Sequence, residues 1–87
     1  MTDEVRCWLV ERSYDDRDIV TLVYATPDGK RYNQRELSAT ALSRASVTAA
    51  REIPAGELRP VEDDATRERY AAEAERLAAS HDPDEPV

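Results

Sequence analysis

The chain has 87 residues, a net charge of −7 and a single lysine, Lys30, among its 12 lysine and arginine residues. A chain of this length forms one domain with a thin core, because folding buries only about 60–65% of the surface that the unfolded chain exposes. The sequence excludes a membrane-spanning helix, which needs about 20 consecutive apolar residues, and an internal disulfide, since Cys7 is its only cysteine.

The first predicted element is a β-strand over residues 5–12, whose side chains alternate between two faces. One face carries Val5, Cys7 and Leu9, and the other carries Arg6, Trp8 and Arg12. We expect the aliphatic face to meet the core, which leaves Trp8 exposed between arginines; the opposite orientation, with Trp8 in the core, is the alternative. The acidic residues before the strand do not resemble a signal peptide, so we expect a cytoplasmic protein.

A β-hairpin is predicted next. The second strand covers residues 19–25 and is rich in β-branched side chains. The Pro-Asp-Gly sequence that follows it is typical of a tight turn, in which proline fixes φ and glycine accepts a positive φ. If this turn pairs Thr26 with Lys30, then Arg31 lies opposite Ala25.

The third predicted strand, over residues 30–34, is short and polar, as edge strands often are. We expect Arg31 on this strand and Arg35 just after it to join Trp8 on one face. Ser38 is a candidate N-cap for a helix over residues 39–45. Residues 47–53 then form a fourth strand in our interpretation, and a continuation of the helix is the alternative.

A last helix is predicted to begin after Asp63 or Asp64 and to end near residue 80, with Tyr70, Ala74 and Leu77 on its buried stripe. Residues 82–87 show no apolar periodicity, so we expect a disordered acidic tail after a single domain over residues 1–81. The fold class is therefore α+β. We expect a three- or four-stranded antiparallel sheet in the order β-β-β-α-(β)-α, with the helices packed on one face.

No set of residues in the sequence predicts catalysis. The only histidine, His81, adjoins the predicted tail, and Cys7 lies within a strand, where a free cysteine usually packs as a small apolar side chain. Both glycines fall in predicted turns, which leaves none for a phosphate-binding loop. We therefore expect no enzyme and no cofactor.

A metal site is also not expected. Asp15, Asp16 and Asp18 lack the alternate spacing, the central glycine and the distal glutamate of a calcium-binding loop. A single cysteine and a single histidine cannot supply the ligands of a zinc site.

The composition has one unusual feature, an excess of acidic residues combined with an almost complete replacement of lysine by arginine. The chain has 19 aspartates and glutamates and no phenylalanine. Carboxylates stay hydrated in concentrated salt, whereas the apolar stem of lysine is driven to associate there. In this respect the whole chain resembles the small acidic proteins of halophilic archaea; a GC-rich genome, which also favours arginine, is the alternative explanation.

The candidate binding residues are those of the expected arginine-rich face, namely Arg6, Trp8, Arg12, Arg31 and Arg35. An exposed tryptophan between arginines is typical of a protein interface. We expect a non-enzymatic protein-interaction module that uses this face, or the edge of the third strand, to bind another protein or a second copy of itself. The alternative is a nucleic-acid-binding accessory protein that uses the same face, although the acidity of the chain opposes binding to phosphates.

Overall fold

The computed structural model describes residues 3–44 and 47–87. Within these residues the strands are β1 (Glu4–Tyr14), β2 (Ile19–Ala25), β3 (Arg31–Ser38), β4 (Ala50–Pro54) and β5 (Arg59–Pro60), and the helices are α1 (Ala39–Arg44) and α2 (Asp64–Ser80). A short 3-10 turn covers Ala55–Glu57. The strands form one antiparallel sheet in the order β4-β1-β2-β3-β5. No helix in this part of the chain is long and apolar enough to span a bilayer.

The α+β class and the antiparallel sheet are confirmed, but the sheet has five strands rather than three or four. The segment predicted as a strand over 47–53 overlaps β4, and the additional strand is the two-residue β5 on the outer side of β3. Because β5 follows a 3-10 turn and has only two residues, it leaves no alternation pattern in the sequence.

Both helices begin at the residues that their capping pattern predicts. The Ser38 hydroxyl accepts a hydrogen bond from the main-chain N–H of Ala41 at 3.0 Å, and the Asp63 carboxylate accepts one from the N–H of Thr66 at 2.8 Å. These bonds satisfy main-chain donors that have no partner inside the first turn of a helix. The predicted end of α1 at Ala45 lies outside the described residues.

The two faces of the sheet can be named from the side chains of β2, because directly opposite residues of antiparallel strands share a face. Val20, Leu22 and Tyr24 lie on one face, here the Tyr24 face, and are at most 1% exposed. Val23 and Ala25 lie on the other face, here the Trp8 face, and pack with Val61 and with Tyr70 of α2. The central strand is therefore buried on both sides, so the expected sheet with one uncovered face does not form around β2.

Residues 82–87, for which we expect disorder, are hydrogen-bonded to the segment that leads into β4. The N–H of Ala49 donates to the carbonyl of Glu85 and the N–H of Ala50 donates to the carbonyl of Pro83, both at 2.9 Å. Thr48 forms a β-bridge with Pro86. The end of the chain thus lies along the outer edge of the sheet, beside β4.

Candidate binding face

The structure places Trp8 in the core. It is 7% exposed, lies opposite Ala25 and Ala50 on neighbouring strands, and belongs to the same hydrophobic cluster as Ala74 and Leu77 of α2. The expectation that its indole is exposed is therefore wrong. The physical reason is that α2 covers this face, and the indole offers it more apolar area than any other side chain of β1.

Arg6 shares the Trp8 face but is not available as a free cation. Its guanidinium lies 2.8 Å from the carboxylate of Glu52, which is opposite Arg6 across the β1–β4 ladder. Both side chains are about half exposed. The ion pair joins β1 to the edge strand β4, on the same face as Trp8.

A β-bulge moves Arg12 to the opposite face. Leu9 pairs with Tyr24 and Glu11 pairs with Val23, so Val10 is an extra residue in β1. An extra residue reverses the alternation of every side chain that follows it. Arg12 consequently pairs with Leu22 and lies on the Tyr24 face, opposite to the face of Trp8.

The β2–β3 register is displaced by one residue from the predicted one. The turn closes on a hydrogen bond of 3.0 Å from the N–H of Thr26 to the carbonyl of Arg31, rather than on Lys30. Ala25 therefore pairs with Tyr32, and Leu22 pairs with Arg35. This displacement places Arg31 and Arg35 on the Tyr24 face, so the structure brings Arg12, Arg31 and Arg35 together and separates them from Arg6 and Trp8.

The structure also places Arg51 on this face, a residue that is not among those predicted from the sequence. Arg51 of β4 lies opposite Cys7 and is partly buried. The carbon centre of its guanidinium lies 5.5 Å from the centroid of the Tyr24 ring, within the range of a cation–π contact. The alternation of Arg51 with Ile53 along a short strand is the only sequence signal that indicates its face.

The sheet separates most of its charges by face, since four of its six strand arginines lie on the Tyr24 face and the other two, Arg6 and Arg59, lie on the Trp8 face. We call the Tyr24 face with its arginines the arginine face; these residues are Arg12, Arg31, Arg35 and Arg51. All the strand glutamates lie on the Trp8 face, because the residue directly opposite each of them lies there; they are Glu4, Glu11, Glu36 and Glu52. In a chain with a net charge of −7, one surface of the sheet is therefore positively charged.

None of the four arginines of this face forms an ion pair within residues 3–44 and 47–87. Arg12 donates one hydrogen bond of 3.1 Å to the main-chain oxygen of Val87. Arg31, Arg35 and Arg51 have no hydrogen bond from their side chains to the described residues. Most of the donor groups of these guanidinium groups are thus free to bind an external anion.

Tyr24 lies at the centre of this face. Burial raises the pKa of its hydroxyl, and the positive charges of Arg51, Arg35 and Arg12 act in the opposite direction. Arg12 and Arg35 flank Leu22 from two strands, so their main chains are about 10 Å apart at a strand spacing of about 4.8 Å. Arginines from β1, β3 and β4 therefore share the face that carries this phenol.

The arginine face includes a cleft of about 390 Å³ between β3 and β4. Its lining includes Arg35 and Arg51 together with the carboxylates of Glu52 and Glu57. The Asn33 amide, which also lines it, donates a hydrogen bond of 3.2 Å to the main-chain oxygen of Glu57. Planar guanidinium groups bind carboxylates and phosphates in a bidentate manner. No three His, Cys, Asp or Glu side chains among the described residues are grouped so as to hold a metal ion.

Comparisons with known proteins identify the family but no activity. A search of curated proteins and a search of solved structures found no match to this chain. One family profile matches residues 1–87, which is the whole sequence. The chain therefore belongs to DUF7967, a family of unknown function.

Proposed function

We propose that this protein is a non-enzymatic protein-interaction module whose arginine face binds a carboxylate-rich segment of a partner protein. The single observation that supports this proposal is the separation of charge across the sheet. Strand glutamates lie on the Trp8 face, and Arg12, Arg31, Arg35 and Arg51 lie together on the Tyr24 face without carboxylate partners among the described residues. Complementary charge patches of this kind fix the orientation in which a partner binds.

An acidic protein segment suits this face better than a nucleic acid does. The net charge of −7 repels a polyanion, and the repulsion grows with the length and charge density of that polyanion. A short segment with a few carboxylates is repelled less. The proposed binding surface is therefore the arginine face alone, which is a small part of the protein surface.

The test is the affinity of a fluorescein-labelled hexaglutamate peptide, measured by fluorescence anisotropy in 0.1 M and 2 M KCl. We expect binding at 0.1 M that weakens in 2 M, because salt screens exposed charge pairs. Arg12→Gln and Arg35→Gln are each expected to weaken binding up to about fivefold, the range of one exposed ion pair.

The matched control is Arg6→Gln, which removes a strand arginine from the opposite face, where it pairs with Glu52. This variant should bind hexaglutamate as the unaltered protein does. Equal losses in Arg6→Gln and Arg35→Gln, or no binding at either salt concentration, would overturn the proposal.

A nucleic-acid-binding accessory protein is the second candidate, and one observation favours it. Tyr14 is 67% exposed and pairs with Val20, which places its ring on the arginine face beside Arg12. An exposed ring next to guanidinium groups can stack on a base. A gel shift of a single-stranded oligonucleotide that is lost in both Tyr14→Ala and Arg12→Gln would favour this candidate over the first.

We further propose that the protein works in a salt-rich cytoplasm. Support comes from the 19 acidic residues and from the presence of one lysine among 12 lysine and arginine residues. In such a solvent long-range attraction is screened, so the contacts of the arginine face would act only at close range.

A further inference from the structure

The outer edge of β3 is only partly paired. On its inner side β2 pairs with every residue from Tyr32 to Ser38. On its outer side β5 pairs with Arg31 and Tyr32 alone. No strand in the described part of the chain continues this pairing beyond Tyr32.

Two hydrogen bonds show which main-chain groups of β3 point outward. The carbonyl of Lys30 accepts from the N–H of Val61 on the outer side at 2.8 Å, whereas the carbonyl of Arg31 accepts from Thr26 on the inner side at 3.0 Å. Because these directions alternate along a strand, the N–H and C=O groups of Gln34 and Glu36 point outward. These groups are available to a further strand.

The space beside this edge is open. Two grooves of about 650 Å³ each lie along it, and both are lined by Tyr32, Gln34 and Arg59. The opposite edge of the sheet is closed, since Ala50 donates to the carbonyl of Pro83 and Pro54 occupies the end of β4. Within β3 there is neither a proline nor a bulge to prevent pairing.

A second copy of the chain is a poor occupant of this edge. An antiparallel pair of β3 strands related by a two-fold axis has two registers that use both Gln34 and Glu36 and do not require Tyr32, whose outer side is already paired with β5. One places Arg35 directly opposite Arg35 of the other copy, and the other places Glu36 opposite Glu36. Like charges at directly opposite positions are destabilising.

The charges beside the edge define a better occupant. Arg31 and Arg35 lie on the arginine face of β3, whereas Glu36 lies on the Trp8 face, where Glu62 and Asp63 line the neighbouring groove. We infer that the partner segment of the proposed function adds to β3 as an extended strand, hydrogen-bonded to Gln34 and Glu36. Its carboxylates occupy alternate positions, and its intervening side chains are neutral or basic. This inference rests on the proposed function and names the conformation and the charge pattern of the ligand.

The first test compares two peptides of equal composition, one with alternating aspartate and threonine and one with the aspartates and threonines in two blocks. We expect the alternating peptide to bind at least about fivefold more tightly, the value of roughly one hydrogen bond or ion pair. Amide hydrogen exchange should then slow at Gln34 and Glu36. Equal affinities without protection of these amides would overturn strand addition.

The second test is Glu36→Pro, which removes an outward donor without removing a hydrogen bond to β2. We expect about fivefold weaker binding of the alternating peptide. The matched control is Glu36→Gln, which removes the same charge but keeps the main-chain donor, and which should not weaken binding. The corresponding test on the ligand uses two N-methylated alternating peptides, one methylated at the odd positions and one at the even positions. Only alternate amides of an added strand face β3, so only one of the two peptides should bind more weakly.

The outcomes separate the two proposals. If hexaglutamate binds through Arg12 and Arg35 but Glu36→Pro and both N-methylated peptides bind normally, the arginine face is a charged docking surface and strand addition is wrong. If neither hexaglutamate nor the alternating peptide binds, the proposed function itself fails.

Discussion

Cys7 is held by β1 on the arginine face, where its thiol is fully buried and donates a weak hydrogen bond to the carbonyl of Val5 at 3.6 Å. Burial raises the pKa of this thiol to about 11; the positive charge of Arg31 lowers it and the negative charge of Glu52 raises it. The native thiol therefore remains protonated in a range of pH in which the unfolded thiol, with a pKa of 9.0, ionises.

This difference predicts a loss of stability in alkali. Below pH 9 both states keep the proton and Cys7 contributes no pH dependence. Between pH 9 and pH 11 unfolding releases the proton, so the free energy of unfolding falls by about 1.4 kcal/mol per pH unit from this group. Urea unfolding at pH 8, 9, 10 and 11 measures the slope.

The control for this prediction is Cys7→Ala, which retains Tyr24 and Tyr70. Burial raises the pKa of both phenols, so they add their own loss of stability in alkali to both proteins. The difference between the two proteins in the slope of unfolding free energy against pH gives the contribution of the thiol. Identical slopes from pH 9 to pH 11 would show that Cys7 ionises normally in the native state.

Sequence alone predicts only part of the candidate site. Of the five predicted binding residues, Arg12, Arg31 and Arg35 share one face, Arg6 and Trp8 lie on the other, and the expected exposure of Trp8 is wrong. Both sides of β1 carry apolar side chains, so alternation does not distinguish the side that α2 covers. Only the packing of α2, a contact between distant parts of the chain, decides it.

At the scale of elements, local signals predict most of the sheet and both helix starts, but not the register. The caps at Ser38 and Asp63 and the turn at Gly29 depend on neighbouring residues, and the structure has each of them. The bulge at Val10 depends on two strands together and has no sequence signature. It reverses the faces of the second half of β1, just as the displaced hairpin register reverses those of β3.

The β2–β3 hairpin also contacts α2, and this contact requires Gly29. Its φ of 72° lies in the left-handed region, and a Cβ atom there would meet the main-chain oxygen of Arg67 and lie 2.8 Å from the main-chain nitrogen of Ala71. Backbone atoms of a helix cannot move aside as a flexible side chain can. Gly29→Ala should therefore lower the free energy of unfolding by about 2–4 kcal/mol, from left-handed strain and overpacking combined.

The matched control for this prediction is Gly56→Ala in the 3-10 turn. Gly56 has no positive φ, and a Cβ atom there would meet no atom within 4 Å. Its substitution should change stability by less than about 1 kcal/mol, in the stabilising direction if the unfolded chain loses freedom. A Gly29→Ala variant that unfolds at the same urea concentration as Gly56→Ala would show that the hairpin does not dock against α2.

The whole molecule combines a thin core with strong internal repulsion. The core residues include no phenylalanine, and the 19 acidic residues outnumber the 12 lysine and arginine residues. The four arginines of the arginine face are not paired with described carboxylates. The excess of negative charge over the rest of the surface is therefore larger than the net charge alone indicates. Folding brings the acidic residues closer together than they are in the unfolded chain, so repulsion opposes folding most strongly when salt is absent.

Stability should therefore rise with salt concentration. The Debye length falls from about 30 Å in 0.01 M salt to about 3 Å in 1 M salt, so added KCl confines repulsion to the nearest neighbours. We expect at least about 2 kcal/mol more stability in 2 M KCl than in dilute buffer, which for a domain of this size raises the melting temperature by about 8–16 °C. Circular dichroism melts over this range measure the increase.

A pair of substitutions separates charge repulsion from the effect of salt on apolar surface. Glu68 and Glu75 are exposed on α2 and form no ion pair with the described residues. If repulsion dominates, the double variant Glu68→Gln and Glu75→Gln melts higher than the unaltered chain in dilute buffer, and the two converge in 2 M KCl. If salt acts by strengthening apolar burial, the two proteins rise in parallel and never converge. A cooperative melt in dilute buffer at the same temperature as in 2 M KCl would contradict both mechanisms and, with them, the proposed adaptation to a salt-rich cytoplasm.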